Sequence, residues 1–198
     1  MIYNSIVKGR FISRPNRFIA YAEIDGKEEI CHVKNTGRCR ELLIPEADII
    51  LEISDNPNRK TKFDLISVYK NGRLINIDSQ APNKIAAELL PKLFPDYIIK
   101  PEQKYKNSRF DFYLESANKR AFAEVKGVTL ENENIVMFPD APTERGVKHI
   151  NELIQAAENG FDAYILFIIQ MNQVKYLIPN YETHREFGEA LHLSLIHI

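Results

Sequence analysis

The chain lacks any apolar run long enough to cross a membrane. Among its 198 residues the longest uninterrupted apolar stretch, Ala163 to Ile169, has the length of a strand, whereas a spanning helix needs roughly 18 such residues. Met1 to Arg10 mixes polar and apolar residues with no basic segment leading into an apolar one, so no secretory signal is read there. Cysteine is scarce: Cys31 and Cys39 match no zinc spacing and suit a compartment where thiols stay reduced. Both are expected to be ordinary packing residues in a cytoplasmic protein. Charge of one sign is also missing, because the net charge of -1 does not give the basic field of many DNA-binding proteins. Its distribution is uneven, however. Residues 1–40 carry eight Lys and Arg against four Asp and Glu, a local balance of +4.

Up to about Asp78 the sequence reads as short strands separated by turn chemistry, near Ile2 to Ile12, Arg17 to Ile24, Glu29 to Lys34, Asp48 to Ile53, Lys62 to Tyr69 and Leu74 to Ile77. Asp25-Gly26 and Asn71-Gly72 fall where hairpin turns belong. With one brief helical insert, Arg40 to Leu43, this suits a small closed barrel of OB type, which removes exposed edges by closure; a six-stranded sandwich is the alternative. A linker-like patch, Asp78 to Asn83, precedes a short helix from Lys84 to Leu90 with Ile85 and Leu89 on one stripe, ending before Pro91. The order that follows is strand Ile98 to Tyr105, strand Ser108 to Leu114, strand Ala121 to Leu130, helix Thr143 to Glu158, strand Ala163 to Gln170, strand Val174 to Ile178 and helix Glu182 to Leu191. Residues 1–80 are therefore expected to form an all-β OB-like domain, and residues 81–198 an α/β domain with a mixed sheet flanked by helices.

The chemistry-bearing residues lie in that second domain. Strand alternation in Arg109 to Leu114 places Phe110, Phe112 and Leu114 on one face and Asp111 on the other, and in Ala121 to Lys126 it places Glu124 and Lys126 together. A hairpin about Ala117-Asn118 pairs residues whose numbers sum to 235, which sets Asp111 opposite Glu124. Residues directly opposite have Cβ atoms about 5 Å apart, a distance at which two carboxylates repel unless a cation lies between them. Mg2+ or Mn2+ suits such hard oxygen donors, with Lys126 placed to hold a water or offset developing negative charge. A cross-strand salt bridge on the surface is the bland reading of the same three residues.

Other positions suit phosphate. Thr143, Arg145, Lys148 and His149 cluster where a loop opens the middle helix, an end that offers free amides and a positive dipole. In the first domain Arg14, Asn16 and Arg17 lie around a turn with Phe11 and Phe18, and Lys34, Asn35 and Arg38 form a second polar group with His32. Basic groups interleaved with aromatics fit a surface that tracks a nucleic-acid strand, although aromatics at strand spacing also serve as core.

Four strings in order, Asn35-Thr36-Gly37-Arg38, Ser108-Arg109-Phe110-Asp111-Phe112, Glu124-Val125-Lys126-Gly127-Val128-Thr129-Leu130 and Phe138-Pro139-Asp140-Ala141-Pro142-Thr143-Glu144-Arg145-Gly146, make the chain resemble the sugar fermentation stimulation protein A family from the Arg14 region to about Leu191. The resemblance implies an OB-like domain joined to a PD-(D/E)xK nuclease-like domain in a prokaryotic cytoplasmic protein, with DNA as partner and a role in regulating sugar utilisation, maltose genes in particular. Two functions follow as expectations. One is a metal-dependent nuclease with Asp111 and Glu124 as ligands and Lys126 as the catalytic cation, and the other is a DNA-binding regulator without nuclease activity. No membrane partner is expected, and a homodimer is compatible with either. Residues 193–198 depart from the family pattern and are expected to be a foreign extension, whose aliphatic residues would tolerate a short edge strand.

Overall fold

The computed structural model describes residues 1–35, 37 and 39–196, the last two by backbone alone. It divides into two compact units: Met1–Ala81 with Gln170–Gln173, and Pro82–Ile169 with Val174–Ile198.

Six strands build the first unit, β1 (Ile6–Ser13), β2 (Ile19–Ile24), β3 (Lys27–Val33), β4 (Asp48–Ile53), β5 (Phe63–Lys70) and β6 (Arg73–Asn76). The sheet order β3-β2-β1-β4-β5-β6 is closed by parallel pairing of β3 with β5, with Cys31 opposite Phe63 and Val33 opposite Leu65. A closed five-stranded OB barrel results, as the sequence predicts, with β6 appended to β5. Closure removes the edges that a sandwich would expose. Phe11, Ala22, Cys31, Val33, Leu51, Leu65 and Val68 fill its interior. The Asp25-Gly26 and Asn71-Gly72 turns have positive φ at both residues, the geometry that a two-residue hairpin requires and glycine makes cheap. The expected helix at Arg40 to Leu43 is a single turn instead, made by Leu42 and Leu43 amides donating to Cys39 O. Gln170–Gln173 returns to this unit: Asn76 N–H donates to Gln170 O at 2.9 Å, and Ile75 bridges Met171.

In the second unit, α1 (Ala81–Leu93) precedes β7 (Ile98–Tyr105), β8 (Ser108–Glu115) and β9 (Arg120–Val128). Next come β10 (Leu130–Asn132), β11 (Ile135–Phe138), α2 (Glu144–Glu158), β12 (Asp162–Ile169), β13 (Tyr176–Pro179) and α3 (Arg185–Ile196). A four-stranded mixed sheet runs β12-β9-β8-β7, with β12 parallel to β9 and the other pairs antiparallel. One face packs Phe112, Leu114, Ala121, Ala123 and Val125 against Ala86 and Leu90 of α1, and the other packs Phe110 and Phe122 against Leu153 and Ala156 of α2.

Four expectations change here. Helix α1, Ala81–Leu93, is longer than predicted, continues past Pro91, and buries Ala86 and Leu90 rather than Ile85 and Leu89, because that face meets Phe112, Leu114 and Ala123 of the sheet. The strand expected to run through Leu130 ends at Val128, and a separate hairpin, β10 to β11, follows. Its turn residues, Glu133 and Asn134, have φ of +51° and +69° without any glycine, which hid it from a search for turn residues. Strand β13 pairs in parallel with β11, giving a small second sheet in the order β10-β11-β13. Finally, residues 193–196 continue α3 rather than forming an edge strand, with Ser194 Oγ donating to Leu191 O at 2.7 Å; residues 197–198 lie outside the description.

Candidate metal centre

The hairpin of β8 and β9 turns where expected, with Ser116 N–H donating to Lys119 O at 2.8 Å. Phe112 pairs with Ala123 and Tyr113 with Phe122, the register in which partner numbers sum to 235. Regular pairing stops at Phe112, however, so the backbone of Asp111 is not bonded across to Glu124. Its side chain takes that part: Val125 N–H donates to Asp111 Oδ2 at 2.8 Å. Pairing with β7 likewise passes over Asp111 and Glu102, whose φ is +52°. The predicted single apolar stripe breaks at the same point, because Phe110 packs toward α2 while Phe112 and Leu114 pack toward α1. The irregularity in β8 is thus centred on Asp111. Asn83 Nδ2, in the first turn of α1, donates to its other oxygen at 2.8 Å.

Glu124 is 4 % exposed. Its Oε1 accepts from Lys126 Nζ at 2.7 Å and from His149 Nδ1 at 2.5 Å. Its Oε2 is buried with no hydrogen-bond partner among the described residues. Burial pushes the Glu124 carboxyl up, but the His149 hydrogen bond and the Lys126 ammonium outweigh it and hold the group below its ordinary range. Asp111 goes the other way: burial and then the charge of Glu124 raise it, against the opposing amides of Val125 and Asn83. One carboxylate is therefore held ionised while its neighbour is destabilised as an anion, so the pair is short of positive charge on the Asp111 side. An unused lone pair on buried Glu124 Oε2 is costly, and a hard divalent cation is the kind of group that would satisfy it. Among the described residues no group of three or more His, Cys, Asp or Glu is placed to hold a metal, so further ligands to such an ion would come from water or substrate.

Helix α2 brings His149 to this pair. Thr143 caps it, its Oγ1 accepting from Gly146 N–H at 3.0 Å, and Gly160 with φ of +80° ends it as Phe161 N–H donates back to Ala156 O. Arg145 Nε donates to His149 Nε2 at 3.4 Å, and Lys148 Nζ donates to Asn107 O at 2.9 Å. Arg145, Lys148 and His149 line a cleft with Ser108 and Arg109. The sequence groups His149 with Thr143, Arg145 and Lys148 as a phosphate cluster without pointing to Glu124 as its partner, and gives no sign of Asn83 at Asp111. One signal for His149 was legible: Gly146, His149 and Glu152 recur every three residues on the buried side of α2, and polar residues there need partners.

In the barrel the candidate residues have varied surroundings. Arg14 donates to the carbonyls of Arg17, Asn35 and Gly37 at 2.6–2.8 Å, and so organises two loops. Asn16 Oδ1 accepts the amides of Phe18 and Ile19, while Asn35 Nδ2 donates to Ile77 O. Lys34 Nζ lies 2.9 Å from Asp64 and 3.3 Å from Glu52. Arg17 is exposed, and with Arg14, Asn16 and Arg40 it lines an open cleft beside Phe11. Arg38 lies outside the described residues.

Residues 12–77 match the family model of the SfsA N-terminal OB domain, and residues 80–195 match that of the Sugar fermentation stimulation protein RE domain. A sugar fermentation stimulation protein homolog of Clostridium beijerinckii is 63 % identical over 194 residues, covering 96 % of this chain and 86 % of its own. Another, from Desulfitobacterium hafniense, is 60 % identical over 193 residues, covering 96 % and 85 %. The solved structure of Pyrococcus furiosus SfsA in complex with Ca2+ aligns with a TM-score of 0.87 at 30 % identity, over 100 % of this chain and 87 % of that one. With both family models matched in tandem and relatives this similar along nearly its whole length, the chain belongs to the sugar fermentation stimulation protein family.

Proposed function

We propose that the protein binds DNA and carries a divalent-metal-dependent nuclease site at Asp111, Glu124 and Lys126. The observation that supports this most directly is the carboxylate pair, with one oxygen of Glu124 buried and without a partner among the described residues and Asp111 pushed up by burial and then by its neighbour's charge. The relative from Pyrococcus furiosus was solved with Ca2+, another hard cation that takes oxygen ligands. When bound, Mg2+ or Mn2+ would supply Lewis acidity at a phosphodiester and make a bound water more acidic. Asp111 and Glu124 would hold the ion through Asp111 carboxylate oxygens and Glu124 Oε2. Lys126 Nζ, close to Glu124 Oε1, places a positive charge beside the negative charge that develops on phosphate. Arg145 and Lys148 would hold phosphates of the strand; in the barrel the exposed Arg17 would be the phosphate contact, since the side chains of Arg14, Asn16, Lys34 and Asn35 are engaged within that unit. DNA as the partner puts the site of action in the cytoplasm.

The test is incubation of the full chain with single- and double-stranded DNA and Mg2+ or Mn2+, with Lys126→Ala as control. Cleavage should fall by about 100-fold or more in the variant, the scale expected when one group that stabilises transition-state charge is removed. A second reading, a DNA-binding regulator of sugar genes without cleavage, is favoured by the small number of acidic groups that converge: two, where three or more would mark a metal cage. Salt-sensitive binding with no cleavage by the parent protein under any cation selects it.

A further inference from the structure

His149 has no part in the reading above, yet both of its ring nitrogens are engaged. Nδ1 lies 2.5 Å from Glu124 Oε1, and Nε2 receives Arg145 Nε at 3.4 Å. The ring is 4 % exposed and packs edge-to-face on Phe110, with centroids 5.9 Å apart. An arginine Nε–H only donates, so Nε2 must accept, and the ring proton then belongs on Nδ1, where it meets the carboxylate. Phe110 fixes the plane of the ring and Arg145 fixes the tautomer. Lys126 donates to the same carboxylate oxygen. Both donors therefore fall on Oε1, and Oε2 is the oxygen left over.

We infer that His149 is a positioning residue, held as its Nδ1–H tautomer by Arg145, which turns Glu124 so that Oε2 is the oxygen presented to a divalent cation. This rests on the reading of Asp111 and Glu124 as a metal site. The same mechanism operates where a donor behind a metal-binding carboxylate fixes its orientation, and removing such a partner typically costs 10- to 100-fold in metal affinity. Because Arg145 also lines the cleft with Lys148, the residue that sets the tautomer stands where a phosphate would approach.

The experiment measures Mn2+ affinity by calorimetry on the full chain, with thermal unfolding of each variant as control. His149→Phe keeps the ring that packs on Phe110 but loses the donor, and its affinity should fall about 10-fold. His149→Asn restores an N–H near the Nδ1 position and should return affinity to within about threefold of the parent. An unchanged affinity in a folded His149→Phe protein, beside a clear loss in Glu124→Ala, overturns the inference and leaves the metal site standing. A parent that binds no Mn2+, or binds it equally well without Glu124, overturns the metal-site reading and this inference with it. Should His149→Phe fail to fold, imidazole 15N shifts of the parent protein decide. They should report a protonated Nδ1 and a bare Nε2, and the opposite tautomer overturns the inference.

Discussion

Two buried carboxylate sites, one in each unit, differ in how their charge is met. Asp64 of the barrel is 2 % exposed, yet Arg59 holds it with two hydrogen bonds of 2.6 and 2.8 Å, Lys34 lies at 2.9 Å and His32 Nδ1 at 2.9 Å. Burial pushes its carboxyl up, but Arg59, Lys34 and His32 overwhelm that and hold it far below the ordinary range. Glu124 is buried and Asp111 half-buried with less compensation: one ammonium and one imidazole serve a single oxygen of Glu124, and Asp111 accepts hydrogen bonds only from amides, with the Lys126 charge as its one opposing cation. Burial of an acid therefore does not mark a functional site by itself. The shortfall of positive charge at Asp111 and Glu124 is the feature on which the proposed metal site rests, because the Asp64 cluster closes its own electrostatics and this pair does not.

The contrast can be broken at either end. The largest effect is expected from Asp64→Ala, which strands Arg59 and Lys34 in a partly dry setting; unfolding in denaturant should show a loss of about 3 kcal/mol, as for other broken buried pairs. A change below about 1 kcal/mol would mean that the cluster is solvated in effect and that the comparison fails. Next, Mn2+ at about 100 times its dissociation constant should stabilise the parent by about 2.7 kcal/mol, and Asp111→Ala or Glu124→Ala should abolish the gain. Equal stabilisation of parent and variants would place the cation elsewhere.

Asp111→Asn should act in the opposite direction to Asp64→Ala. Without metal at neutral pH it removes a destabilised anion, and the unfolding midpoint should rise by the equivalent of about 1 kcal/mol. The pH dependence sharpens this. The Asp111 carboxyl is raised in the fold, so its charged form opposes folding above the ordinary carboxylate range; the advantage of Asp111→Asn should be present at pH 7 and fade as pH falls through that range. Asp64 is depressed, so its contribution is present above the ordinary carboxylate pKa and is lost only as pH falls below it. Stability differences of Asp64→Asn and Asp111→Asn, followed from pH 7 to pH 3, should therefore differ in sign at neutral pH and both shrink in acid. The smallest effect is reserved for Arg17, exposed and without a structural duty comparable to that of Arg14. Arg17→Ala should lower DNA affinity by less than about 1 kcal/mol and reduce the magnitude of the salt-dependence slope by about one, measured by anisotropy over a salt series.

Much of the scaffold was legible because it is local. Asp25-Gly26 and Asn71-Gly72 announce hairpins through the backbone conformations they tolerate, and Thr143 and Asn159-Gly160 bound α2 through hydrogen bonds made within a few residues. The β8–β9 register follows from one short turn, which sets Asp111, Glu124 and Lys126 near one another on sequence spacing alone. What the local pattern could not show was that Asp111 leaves the ladder, that Glu133-Asn134 turns without glycine, or that Lys34 is tied to Asp64.

By itself, then, the sequence determined the two Asx-Gly hairpins of the barrel, the bounds and apolar face of α2, and the spacing of Asp111, Glu124 and Lys126, since each depends on neighbours a few residues apart. Tertiary structure alone decided the closure of β3 on β5, the parallel seating of β13 on β11, and the arrival of Asn83 at Asp111 and of His149 at Glu124. Those contacts join residues 25 to 41 positions apart, where close packing and the need to satisfy buried polar atoms select the partner and no local spacing announces it.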